Sequence, residues 1–202
     1  MPRVRAGTLG HHLLHVASPS PSENAVTTVG QVTTTEPSVS LADPADLLAG
    51  FLDAARDAVL RKLDGVPEAE LRRSRLPSGW TPLELLKHLT HVERRWFCWG
   101  FLAEPVDDPW ADSGGEPDGR WTVRDDETLD ELVGAFREQC QRSRQVVAGA
   151  DLADRAQVGG RFTIPEEAPT LGWILLHVLQ EHQRHLGHLD VVRELTDGVV
   201  GE

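Results

Sequence analysis

The sequence predicts an all-α protein, a four-helix bundle over residues 43–202 behind a disordered N-terminal tail, residues 1–42. Three observations predict it. Four segments repeat apolar residues at helical spacing. Each opens on a residue able to cap a helix, and no segment alternates with the two-residue period of a strand. Long connections, roughly twenty residues each, leave room for a crossover between neighbouring helices.

Residues 1–42 are rich in Ser, Thr, Pro and Val and keep no period, which reads as a disordered tail. Arg3 and Arg5 precede an apolar run, but His11, His12 and His15 interrupt it, so a secretory signal is not expected. The His-Leu-Leu-His grouping there is most simply a chance cluster. Asp43 caps the first helix, Pro44 occupies its first turn, and Gly65 and Pro67 end it after Leu63. Leu47, Leu48, Phe51, Leu52, Ala55, Val59 and Leu63 form its core stripe, and its charges read as a solvated face. The second helix follows a linker over 64–79. It starts at Thr81-Pro82-Leu83-Glu84, a capping box, and reaches about Leu102, with Leu85, Leu89, Val92, Trp96 and Trp99 as its stripe. His88 sits at the edge of that stripe and His91 further toward solvent. On spacing alone, such a histidine is most simply a hydrogen-bonded structural residue.

Residues 103–125 carry Asp107, Asp108, Asp112, Glu116 and Asp118 with Trp110 and Trp121. Two readings are open: a solvated acidic crossover, or a lid over a pocket. The third helix opens on a second capping box, Thr128 to Glu131, and runs to Ala148. A connection over 149–169, with Gly159-Gly160 and an extended piece around Arg161–Ile164, leads to the fourth.

That last helix, Thr170–Glu194, carries the chemistry. At about 100° per residue, Ile174, Val178, Glu181, His185, Leu189 and Val192 share one apolar arc. Burying a carboxylate costs several kcal/mol unless it is paired or bound to a metal. A Glu/His pair one turn apart on such a face is half of a metal site, the remaining ligand coming from another helix. His177 and His188 flank this arc and His182 lies on its other edge.

The net charge of −12 argues against nucleic acid and against an anionic membrane surface as partners. No apolar run is long enough to span a bilayer. Cys98 and Cys140 fall inside helices and read as free buried thiols, which suits a reducing cytoplasm.

Two segments then show a resemblance. Trp80-Thr81-Pro82-Leu83-Glu84-Leu85-Leu86-Lys87-His88-Leu89 is similar to the W-[ST]-x-x-E-x-x-x-H-[LI] segment of the DinB/YfiT-like superfamily. Trp173, His177, Glu181, His185, Gly187, His188 and Asp190 resemble the last helix of its actinobacterial DUF664 branch. The resemblance implies a four-helix bundle holding one divalent metal, zinc first, with nickel, manganese or iron as the other choices. It maps the ligands onto His88, Glu181 and His185. Glu181 departs from the superfamily's three-histidine pattern but is similar to the His/Glu/His set of mycothiol-dependent maleylpyruvate isomerase. For His177 and His188 two readings stand: partners that orient the ligands, or packing. The implied activity is a thiol S-transferase or isomerase that uses a mycothiol-like thiol cosubstrate against a small electrophile. A non-catalytic, stress-related binding protein and a non-haem iron oxygen-dependent enzyme are the alternatives. A homodimer is common in such bundles, and an exposed Trp-rich face on the second helix would favour one.

Overall fold

The computed structural model describes residues 36–201, so the tail expected over 1–42 and its histidines fall almost wholly outside the described residues. Helix α1 spans Pro44–Leu63, α2 is the single turn Glu68–Leu71, α3 spans Pro82–Glu93, α4 Leu129–Ala148 and α5 Leu171–Asp197. Four long helices form the bundle, and α2 is a short addition inside the expected linker. Helix α1 lies along α5, and α3 packs on both α4 and α5.

The capping chemistry sets the starts. The Asp43 carboxylate accepts from the backbone N–H of Ala45 and Asp46, at 2.9 and 3.1 Å. Thr81 with Glu84, and Thr128 with Glu131, close both halves of a capping box. Thr170 accepts from the N–H of Trp173, and Gly198 closes α5 in the left-handed region at φ 76°. The extended piece expected around Arg161–Ile164 is absent among the described residues. Only an isolated bridge between Arg155 and Thr170 forms there.

The second helix does not stay an α-helix to its end. After Glu93 it widens into a π-helix over Arg94–Phe101, in which Leu102 N–H donates to the Phe97 carbonyl. Bonding five residues apart rotates the stripe. Phe97 and Phe101 continue the line of Leu85 and Leu89 into the core, where Trp96 and Trp99 were expected. The two tryptophans stay half-buried at its side. Trp96 packs against Phe162, Trp173 and His177 of the same chain.

The core is two apolar clusters, one with Val59, Leu89, Phe136 and Leu186, the other with Leu52, Phe97, Val146 and Val178. Along α1, α3, α4 and α5 the residues lying between these members are polar: Arg56, Glu93, Ser143 and His182, all buried. The Arg56 guanidinium donates to both Glu93 oxygens at 2.7 Å. His182 Nδ1 donates to the Val178 carbonyl at 3.0 Å, and its Nε2 lies 3.2 Å from Glu93, off the line a hydrogen bond needs. Cys140 lies at 3.8 Å from the same carboxylate, and both cysteines are free and buried. Arg56 therefore corrects the expectation that the charges of α1 form a solvated face, and Phe51, expected in the core stripe of α1, is exposed.

Burial alone would raise the Glu93 carboxyl, but the charge and the two hydrogen bonds of Arg56 hold it far below the carboxylate range. Removing one member of a buried pair costs about 3–5 kcal/mol, because the other charge is left uncompensated. Glu93→Leu should lower unfolding stability by that amount in urea titrations at pH 7. The folded value lies below the unfolded one. The contribution is therefore full above about pH 4.3 and is lost as pH falls through the depressed value. Stability of the wild type should fall in acid faster than that of Glu93→Leu.

Candidate metal centre

The α3 stripe turns His88 toward α5, and the α5 arc turns Glu181 and His185 toward α3. One nitrogen or oxygen from each of these three lies within 4.8 Å of the others. The rings of His88 and His185 meet edge to face at 5.1 Å. His185 Nε2 is 3.5 Å from Glu181 Oε2.

The position of Glu181 on the helix differs from expectation. Leu175 and Leu186 are buried along with Val178 and Leu189, which centres the buried arc of α5 nearer His182 than Glu181. His182 is fully buried, not at an edge, and belongs to the core layer. Glu181 stands at the rim, its side chain 18 % exposed. This rim position gives it access to a ligand while His185, 7 % exposed, is held inside. The hydrogen bond from His185 is the main reason that the Glu181 carboxyl is pulled down to about 2; burial opposes it and the Arg184 charge assists. Glu181 is thus ionised throughout the neutral range.

The acidic connection folds against His88. Asp112, 1 % exposed, lies in a short 3₁₀ turn over Ala111–Ser113 and reaches His88 Nδ1 at 2.9 Å. Arg95 fixes the same carboxylate, with Nη1 at 2.6 Å from Oδ1 and Nη2 at 3.2 Å from Oδ2, and also donates to the Pro109 carbonyl. Its guanidinium lies 4.4 Å over Trp110. Further along the loop, Trp121 stacks on the His88 ring at 4.0 Å and meets His185 edge-on at 5.2 Å. The far end is tied down by Lys87, which donates to Glu127 at 2.9 Å just before α4. Of the two readings for this loop, the covering one holds at Asp112 and Trp121.

These contacts set proton positions. A carboxylate only accepts, so His88 donates to Asp112 from Nδ1 and leaves Nε2 with a bare lone pair. Burial lowers the His88 value, against the pull of Asp112, and keeps the ring neutral near pH 7. Burial would raise Asp112, but hydrogen bonds from His88 and Arg95 hold it below its ordinary range.

The remaining histidines separate. His188 Nδ1 is 3.3 Å from His185 Nδ1, so the two rings are hydrogen-bonded neighbours. His177 is stacked on Trp173 at 5.0 Å and packed on Trp96 at 4.4 Å, touching none of the three clustered groups. His91 is less open than expected. Its Nδ1 is buried without a partner, and burial pulls its value down to about 4. Asp112 is the functional candidate that sequence reading did not single out, being one of seven acids over residues 103–125. Its flanking by Trp110, and an unmatched Arg95 on the facing helix, were the available signals.

The donor set fits a divalent cation: two imidazoles, one carboxylate ionised at neutral pH, and an outer carboxylate fixing one imidazole's tautomer, as metal-binding histidines require. The mycothiol-S-transferase family matches residues 47–198, three-quarters of the sequence, spanning the bundle and all three donors. The chain belongs to the mycothiol-S-transferase family. No curated protein matches it. Among the described residues, no helix is long and apolar enough to cross a membrane.

Long-range ¹H–¹⁵N NMR of the metal-free protein at pH 7 should find His88 neutral and protonated at Nδ1. Asp112→Ala should lose that tautomer preference while the helical circular dichroism is kept. An Nε2-protonated His88 in the wild type would contradict the hydrogen-bond assignment.

Proposed function

We propose that the protein is a cytoplasmic, divalent-metal-dependent thiol S-transferase that joins a mycothiol-like thiol to a small electrophile. The observation that carries this reading is the meeting of His88, Glu181 and His185 within 4.8 Å, in a chain of the mycothiol-S-transferase family. His88 through Nε2, His185 through Nε2 and Glu181 through its carboxylate would hold the ion, zinc first, with nickel, manganese or iron as substitutes. When bound, such an ion lowers the pKa of a coordinated thiol, so that thiolate is available at neutral pH.

The residues of the chain supply the rest. Asp112 holds the His88 ring in one orientation and keeps the Nδ1 proton away from the donor nitrogen. His188 does the same for His185 when His185 carries its proton on Nδ1. Trp121 covers one face of His88 and limits water there. Glu181 adds a fixed negative charge that favours a cation over a proton above about pH 2. In the net reaction a sulfur–carbon bond forms, and either the leaving group departs while the thiol proton passes to solvent, or the thiol adds across a π bond whose electron pair takes up a proton in exchange.

Protein purified without chelator or histidine tag should carry about one divalent ion per chain by elemental analysis. Glu181→Ala and His185→Ala should lose it with helicity intact, and Asp112→Asn should weaken affinity about 10–100-fold. Conjugation of mycothiol to monochlorobimane should need the ion. A wild type that takes up no metal after reconstitution would support the non-catalytic binding reading instead. Oxygen consumption by the iron-loaded protein without thiol conjugation would support the oxygenase reading, since two histidines and a carboxylate also suit Fe(II).

A further inference from the structure

Arg161 stands apart from the other shielded arginines. Arg56 and Arg95 each hold a carboxylate in a two-point grip. Arg161 is half-buried, and among the described residues it has no carboxylate partner. Burial and the charge of Arg95 both act to lower its value, and no acid acts to raise it. Its guanidinium lies 4.3 Å over Trp96, with Trp99 at 5.8 Å and Trp110 at 5.7 Å. Those rings satisfy the face of the cation and leave its five N–H donors, which lie in the guanidinium plane, unmatched.

The residue is delivered there by a built loop. Gln157 N–H donates to the Phe101 carbonyl and Arg161 N–H to the Trp99 carbonyl, so the loop closes the end of the π-helix. Gly159, at φ 117°, makes the turn. A Cβ on Gly160 would sit 2.2 Å from the Trp99 carbonyl oxygen, so only glycine permits the approach.

Two chains of contact connect Arg161 with the three-donor cluster. Trp96, under its guanidinium, packs on His177 at 4.4 Å, one helical turn before Glu181. Trp110, also beneath it, carries Arg95, which holds Asp112 and through it His88. A planar cation with free edge donors against tryptophan faces is matched to a planar anion.

We propose that Arg161 is the carboxylate-recognising residue of a ligand subsite beside the cluster. Resting on the transferase reading above, the carboxylate is carried by the electrophile. Mycothiol is a sugar-linked cysteine derivative without an ionised carboxylate, so it gives this guanidinium no partner.

Binding tests the subsite without turnover. Titrating the whole protein with succinate, followed by tryptophan fluorescence and calorimetry, should give saturable binding, with succinamide at least about tenfold weaker. Arg161→Gln should lose at least about tenfold in succinate affinity, and Arg161→Lys should retain part of it. The proposal is overturned if the wild type does not bind succinate, if succinamide binds equally, if Arg161→Gln binds as the wild type does, or if inorganic phosphate binds more tightly than succinate. Conjugation of mycothiol to iodoacetate and to iodoacetamide tests the assignment to the electrophile: a sulfur–carbon bond forms, iodide leaves and the proton goes to buffer. The ratio of kcat/KM for iodoacetate over iodoacetamide should fall at least about tenfold in Arg161→Gln. An unaltered ratio overturns that assignment. Arg161-dependent succinate binding without conjugation of either reagent sinks the transferase reading and supports the subsite.

Discussion

The bundle depends on one buried carboxylate. Glu93 is fully enclosed, and a charge in that position is tolerated only if its partners are as fixed as it is. Arg56 reaches it from α1, His182 from α5 and Cys140 from α4, so the four long helices are registered at one level. Apolar clusters above and below could slide by a helical turn at modest cost, since Leu replaces Leu. The layer cannot slide, because a one-turn shift would leave both Arg56 and Glu93 unpaired in a dry interior. That register is what brings His185, three residues beyond His182, level with His88, five residues before Glu93.

The same arrangement occurs twice with opposite outcomes. Arg56–Glu93–His182 and Arg95–Asp112–His88 are each an arginine holding a carboxylate that faces an imidazole. In the core, His182 gives its Nδ1 proton to Val178 and turns Nε2 to the carboxylate, so neither nitrogen is left for a ligand. At the rim, His88 gives Nδ1 to Asp112 and keeps Nε2 toward Glu181 and His185. The difference is which nitrogen meets the carboxylate. It decides whether a histidine is a structural post or a donor.

Much of this is legible in the residues. The capping boxes, the four stripes and the two motifs give the helices and bring out His88, Glu181 and His185, because each rests on local spacing. The rule that flagged Glu181, a carboxylate on an apolar arc, applies with more force to Glu93, which continues Leu85 and Leu89 at four-residue steps, and to Arg56, four after Leu52. Assigning the charges of α1 to solvent overlooked that signal, and Glu93 was given no reading at all. The π-helix is a different case. Its bonding pattern answers to packing on α4 and to the loop that closes its end, so a fixed period carried Trp96 and Trp99 into the core in place of Phe97 and Phe101. Asp112 was hidden for a third reason: its partners Arg95 and His88 are 17 and 24 residues away, and nothing local separates it from its acidic neighbours.

The π-helix keeps His88 and the two loops that approach the three-residue cluster on separate parts of the second helix. The three donor residues stand on regular α-helix, held by a core that does not change with the ligand. Tryptophans 96 and 99, Arg95 and the carbonyls of Trp99 and Phe101 all belong to the widened turns, and two loops are seated on them. One loop brings Asp112, Trp110 and Trp121 over the donors; the other brings Arg161 and Phe162 onto Trp96. A helix turn wide enough to offer both faces lets two independent connections meet beside one cluster without lengthening the bundle. Under the proposed function, changes in either loop would alter what is recognised while the geometry of the cluster, fixed a turn away by Glu93, stays where it is.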